Sequence, residues 1–116
     1  MLPKNRRISR KEFPYILKTG KRLNSPSLLL YITPIVSETK PKESRFSFSV
    51  SKKTCPKAVE RNKHRRRGYS IILKKISNIK SGYYCFFSFK RTIKPVTFFT
   101  LEKEVYELLS ISNMLI

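Results

Sequence analysis

The chain has 116 residues, 26 of them Lys or Arg against 7 acids, for a formal net charge of +19. That length supports one hydrophobic core and little more, so residues 1–116 are expected to form a single domain. A fold with so much self-repulsion meets a polyanion, either nucleic acid or an anionic membrane surface, and no apolar run reaches the roughly 20 residues of a membrane helix, because Pro34 interrupts the longest, "SLLLYITPIV".

The basic start "MLPKNRRISRK" lacks the apolar stretch of a signal peptide, and a cytoplasmic location is expected. "SRKEF" opens a helix: Ser9 caps, Glu12 completes a capping box, and Phe13, Ile16 and Leu17 give an apolar face that ends at Gly20. Pro14 removes a donor there and crowds the Arg10 carbonyl, so the helix starts late or bends. "SLLLYIT", between Pro26 and Pro34, reads as a strand buried on both faces or nearly so. The polar loop "SETKPKES" follows. "RFSFSVS" then alternates, with Phe46, Phe48 and Val50 on one face and a flat row of Ser47, Ser49 and Ser51 on the other.

The next element, "AVERNKHRRRGYSIILKKI", is a helix expected to run from about Pro56 to Lys75. Its apolar stripe takes in Ala58, Val59, Tyr69, Ile72, Leu73 and Ile76, yet Asn62 and Arg66 fall in the same stripe. Burying an unpaired guanidinium costs several kcal/mol, on the order of a whole side chain's packing, so this half of the stripe cannot all be core. Ala58, Val59 and the Tyr69 to Ile76 end are expected on the sheet, while Arg61, Asn62, Arg65 and Arg66 overhang an open edge as a phosphate-binding surface. A solvated basic helix is the competing reading. Gly68 weakens the helix by about 1 kcal/mol relative to alanine. An aromatic strand, "YYCFFSF", and the linker "KRTIKPVT" precede a last helix in which Thr97 caps and Leu101, Val105, Leu108 and Leu109 form a core stripe. The order is helix, two or three strands, helix, strand, helix, α-β-β-β-α-β-α at the larger count, which gives an α+β two-layer sandwich, helices packed on one sheet.

Catalytic chemistry is sparse. All seven acids are Glu, with three on the last helix, two in the polar loop, Glu12 at a cap and Glu60 on the basic helix, so no carboxylate cluster is available for a metal-dependent nuclease. His64 is the only histidine, which excludes a two-histidine mechanism and leaves a phosphate contact or a spectator. Cys55 and Cys85 have no metal-ligand spacing and are expected as two reduced thiols.

The stretches "SFSVSKK" and "KAVERNKHRR", with "RISRKEFPYILKTGKR", "LLLYITP" and "TLEKEVYELL" around them in order, resemble the bacterial ribonuclease P protein subunit over nearly the whole chain. The resemblance implies a mostly antiparallel sheet with a left-handed βαβ crossover. It also implies a small basic protein that binds a catalytic RNA, which cuts the 5′ leader from precursor tRNA and itself requires Mg²⁺. The protein would bind no cofactor, and no protein partner or membrane is implied. By position, Arg61, Asn62, Lys63, Arg65 and Arg66 match the helix that contacts the catalytic RNA. Phe13, Leu17, Tyr31, Ser49, Ser51, Lys53, Lys90 and Arg91 match the cleft that holds the single-stranded leader, although Tyr31 also reads as a core tyrosine. The chain departs from the family pattern at "TCPK", at His64, at Gly68-Tyr69-Ser70 and at Phe89. A structural RNA-binding protein of ribosomal type shares the charge and size and is the alternative; a stand-alone nuclease is disfavoured by the missing carboxylates.

Overall fold

The computed structural model describes residues 2–35, 43–91 and 96–116, so most of the "SETKPKES" loop and the middle of the "KRTIKPVT" linker lie outside the described residues. A 3-10 turn at Lys4–Arg6 and another at Arg10–Glu12 lead into α1 (Phe13–Thr19). Then come β1 (Lys21–Asn24), β2 (Leu28–Pro34), β3 (Arg45–Ser49), α2 (Ala58–Lys75), a 3-10 turn at Ile76–Asn78, β4 (Tyr83–Phe89) and α3 (Phe98–Ile111). The expected order and the α+β sandwich are both present. The short strand β1 had no pattern of its own in the sequence; it exists because it pairs antiparallel with β2.

The capping box forms as read, with the Ser9 N–H and hydroxyl both donating to Glu12 Oε1 at 2.9 and 2.6 Å. It opens the 3-10 turn, and α1 begins only at Phe13, so Pro14 stands in the first turn where a missing N–H is harmless. The chain turns from α1 directly into β1 at Gly20, whose N–H reaches the Ile16 carbonyl at 2.7 Å. A Cβ there would stand 2.4 Å from that carbonyl oxygen, so only glycine permits the turn.

The sheet runs β1-β2-β4-β3. β2 pairs antiparallel with both β1 and β4, while β3 pairs parallel with β4, so the chain must cross between them and α2 makes the crossing. β4 is therefore central, and its residues alternate between two apolar faces. Cys85, Phe87 and Phe89 join Leu28, Leu30, Ile32, Phe46 and Phe48 in the larger core, which α2 and α3 cover. Tyr84 and Phe86 point the other way, into a smaller cluster with Ile8 and Ile16 that Phe13, Tyr31 and Ile35 flank. The second face of β2 is accordingly only half-buried, at Leu29 and Tyr31.

The rotation of α2 differs from the sequence reading. Val59 is 75% exposed and Ala58 is also exposed, whereas Ile71, outside the expected stripe, is fully buried. Tyr69 and Ile72 are buried as expected, but the buried line runs through Gly68, Tyr69, Ile71 and Ile72 with His64 half-buried below it and Leu73 exposed, roughly one residue step (~100°) round the helix. Gly68 is the reason. A Cβ there would lie 2.6 Å from the Phe48 ring, so the backbone of α2 rests on that ring and turns this line inward. Phe48 has no room to retreat, because it stacks on Phe87 at 4.7 Å and meets Tyr69 edge-on at 5.3 Å. The helix also begins after Lys57, leaving Pro56 outside it.

His64 rests on Phe89 with ring centroids 5.3 Å apart, and its buried Nδ1 has no hydrogen-bond partner among the described residues. Burial first and then Arg67 lower its pKa, with Glu60 pulling the other way and Lys63 adding a smaller push down. The thiols are free, as expected, and burial pushes that of Cys85 up to about 12. α3 is capped by Thr97, whose hydroxyl accepts from Thr100 N–H at 3.1 Å, and it buries Leu101, Val105, Leu108 and Leu109 as read. Its Glu104 is also buried: Oε1 accepts from Ser27 N–H at 2.7 Å and from the Ser25 hydroxyl at 2.5 Å, tying the β1–β2 turn to the helix. The C-terminal residues fold back onto the segment before β4, where Lys80 N–H meets the Met114 carbonyl and Ile116 N–H meets that of Asn78.

Gly68→Ala is expected to lower the thermal midpoint, because overpacking costs about 1–3 kcal/mol against about 1 kcal/mol of helix propensity gained. Calorimetry checks this, and a Phe48→Leu background should recover part of the loss. His64 has a folded-state pKa below its unfolded value, so it contributes stability above the unfolded value of 6.5 that is lost as pH falls through the folded one. Thermal midpoints measured from pH 7.5 to 5.5 should therefore decline, and the decline should flatten in His64→Gln.

Candidate nucleic-acid interface

The register of the sheet assembles a surface on the face that α1 only partly covers. Arg22 lies opposite Tyr31, Tyr31 opposite Phe86, and Phe86 beside Ser47. The next row toward the open end is Asn24, Leu29, Ser88 and Ser49. Because opposed residues share a face, these two rows form one floor. The Phe86 ring anchors it, stacking on Tyr31 at 5.7 Å and receiving Phe13 edge-on at 5.0 Å. Leu17, one turn beyond Phe13 on α1, is 51% exposed above it. Phe13, Leu17, Tyr31 and Ser49 are thus brought together.

The remaining cleft residues lie at its open end. Ser51 follows β3 and is taken up in a turn, its oxygen accepting from Thr54 N–H at 3.1 Å and its hydroxyl donating to Thr54 Oγ1 at 2.9 Å. Lys53 is exposed on that turn. Lys90 Nζ donates to the Ser25 carbonyl at 2.9 Å and is bound to the β1–β2 turn, while Arg91 beside it is exposed. Ser47, read as part of the flat serine row, lies on the same surface, and Phe86, Ser88, Arg22, Asn24 and Leu29 belong to it but escaped the sequence reading. The alternation of Tyr84, Phe86 and Ser88 could have revealed part of it once β4 was paired with β3.

Above the floor, Glu12 organises the base of α1. Tyr84 donates its hydroxyl to Glu12 Oε2, and Arg45 Nη1 lies 3.5 Å from Oε1. Burial alone would raise the Glu12 carboxyl, but the bonds from Ser9 and Tyr84 and the charge of Arg45 hold it below its usual value. Tyr84 is pushed up to about 12, by burial first and then by the neighbouring carboxylate.

On α2, Asn62 and Arg66 are exposed, and Lys63 and Arg65 are half-buried. Arg65 Nη2 donates to the Asn62 side-chain oxygen, which couples the two along one face. Arg61 behaves differently: Nη1 donates to the Cys55 and Pro56 carbonyls at 2.9 and 2.8 Å, fastening the loop from β3 to the start of the helix. Among the described residues no group of three or more His, Cys, Asp or Glu could hold a metal ion, and no helix is long and apolar enough to cross a membrane.

A family model described as Ribonuclease P matches residues 2–112. The ribonuclease P protein component of Synechococcus elongatus is 34% identical over 83 residues, 71% of this chain and 68% of that one. That of Prochlorococcus marinus is 32% identical, with 95% of this chain and 94% of the relative covered. The solved RNase P protein of Staphylococcus aureus shares the fold with a TM-score of 0.82 at 22% identity, covering 98% of this chain and 100% of that one. For that of Thermotoga maritima the TM-score is 0.78 at 24% identity, over 90% and 96%. The chain belongs to the ribonuclease P protein family, the protein components of an endoribonuclease of tRNA processing whose activity lies in its RNA.

Proposed function

We propose that the chain binds the catalytic RNA of ribonuclease P through the first half of α2 and lays the single-stranded 5′ leader of precursor tRNA across the aromatic and serine floor beside α1. The observation that carries this reading is the floor itself. An aromatic trio, Phe13, Tyr31 and Phe86, stands at one end, and small Ser49 and Ser88 side chains at the other. Unpaired bases stack on rings, and small side chains let a sugar-phosphate backbone come close. A duplex offers neither exposed base face, so the surface favours a leader over paired tRNA. Arg22, Lys53 and Arg91 at the margins supply charge to the phosphates without reading sequence.

On α2 the recognition set is Asn62, Lys63, Arg65 and Arg66, with Arg61 placing the end of the helix. An arginine guanidinium suits phosphate because its planar donors bind two oxygens at once. The protein's contribution is binding and orientation; Mg²⁺ and bond cleavage belong to the RNA.

Reconstitution with a bacterial RNase P RNA at low Mg²⁺ tests the proposal: the chain should stimulate leader removal and bind precursor tRNA more tightly than mature tRNA when that RNA is present. Equal affinity for both would favour a structural RNA-binding protein instead. Arg65→Ala with Arg66→Ala should weaken binding to the catalytic RNA and flatten its salt dependence by about one unit of log-log slope per lost phosphate contact. Tyr31→Ala should spare that binding and reduce the preference for precursor over mature tRNA by about 1–3 kcal/mol, measured in competition.

A further inference from the structure

The outer edge of β3 carries a cavity of about 620 Å³ apart from the leader floor. Its walls include Lys4, Asn5, Arg7 and Ile8 of the N-terminal segment, Arg45 at the start of β3, and Tyr69 of α2. These walls are held in place. Ile8 N–H bonds the Phe46 carbonyl at 3.1 Å, Arg6 Nε bonds the Ser44 carbonyl at 3.0 Å, and the Tyr69 oxygen accepts from Phe48 N–H at 3.4 Å. Arg45 shares Glu12 with Ser9 and Tyr84, so one carboxylate does not occupy its five donors.

Three cations around apolar Ile8 and Tyr69 suit a ligand that is anionic at one end and flat and apolar at the other. Volume narrows the class. A bare phosphate would leave most of the space empty, whereas pockets of about 300–1,000 Å³ suit small organic ligands. Position narrows it further, since Tyr69 follows Arg65 and Arg66 by one helical turn and joins this cavity to the basic surface of α2.

We infer that the cavity at the edge of β3 is a second RNA contact that takes one unpaired nucleotide, with its phosphate on Lys4 and Arg45 and its base against Ile8, Tyr69 and Asn5. The inference rests on the proposed function in that RNA is the partner, but it involves neither the leader floor nor the exposed α2 side chains. The nucleotide comes from the catalytic RNA or from precursor tRNA.

The test titrates the ¹⁵N-labelled full chain with uridine 5′-monophosphate, and separately with uridine and with inorganic phosphate. Saturable amide shifts should cluster at residues 4–9, 45 and 69, with the nucleotide binding at least about tenfold more tightly than phosphate. Lys4→Ala and Asn5→Ala, both on exposed positions, should weaken it without changing the thermal midpoint. Filter binding of Lys4→Ala to the catalytic RNA and to precursor tRNA then identifies the strand that supplies the nucleotide. Shifts confined to residues 61–67, phosphate binding as tightly as the nucleotide, or no loss in Lys4→Ala for either RNA would overturn the inference. No RNase P RNA is present in the titration, so its failure leaves the leader reading intact; failed stimulation of leader removal beside a positive titration removes that reading alone.

Discussion

Phe48 lies between the Phe87 ring, 4.7 Å away and nearly parallel, and the bare backbone of Gly68. That contact fixes both the height of α2 above the sheet and its rotation. With the line through Gly68, Tyr69, Ile71 and Ile72 turned inward, Asn62 and Arg66 have no route to the core and face solvent. A side chain at position 68 would lift the helix from β3, and the basic groups would move with it. A residue that weakens an isolated helix is here the condition for docking it.

The scarcity of acids has a structural counterpart. Glu12 fixes the start of α1, Glu43 pairs with Arg6 at 3.2 Å, Glu104 holds the β1–β2 turn, and Glu102 meets Lys74 at 3.6 Å. Each of these four binds the scaffold, while Glu60 lies in the first turn of α2, where its charge acts on His64. Lysine has a similar divided use: Lys74 and Lys75 lie over the Phe98 and Tyr106 rings of α3 at 5.3 and 5.5 Å, which seals the helix pair. The positive field that remains is concentrated where a polyanion can reach it.

Much of this could be read from the sequence. The capping box, the Thr97 cap and the stripe of α3 are local patterns, and each is found as read; β3 turns Phe46 and Phe48 to the core as read, but it ends at Ser49 and Ser47 on its other face is buried. The resemblance named motif residues on α2 and in a cleft, and of the cleft set Phe13, Leu17, Tyr31 and Ser49 share one surface in the structure. What failed to show was set by contacts distant in sequence. The rotation of α2 depends on a ring 20 residues upstream of Gly68, β1 depends on its partner strand, and the burial of Glu104 depends on a turn 77 residues away. Phe86 looked like one aromatic among several until the register placed it between Tyr31 and Ser47.

The strand order carries a temporal implication. β2 and β3 never touch in the finished sheet; each pairs with β4, which the ribosome makes after both of them and after the whole of α2. A nascent chain therefore emerges with two apolar strands whose inner edges lack a mate, and the sheet closes only when the "YYCFFSF" segment slots between them. Until then the many like charges keep neighbouring copies apart, which guards the open edges against pairing with the wrong chain.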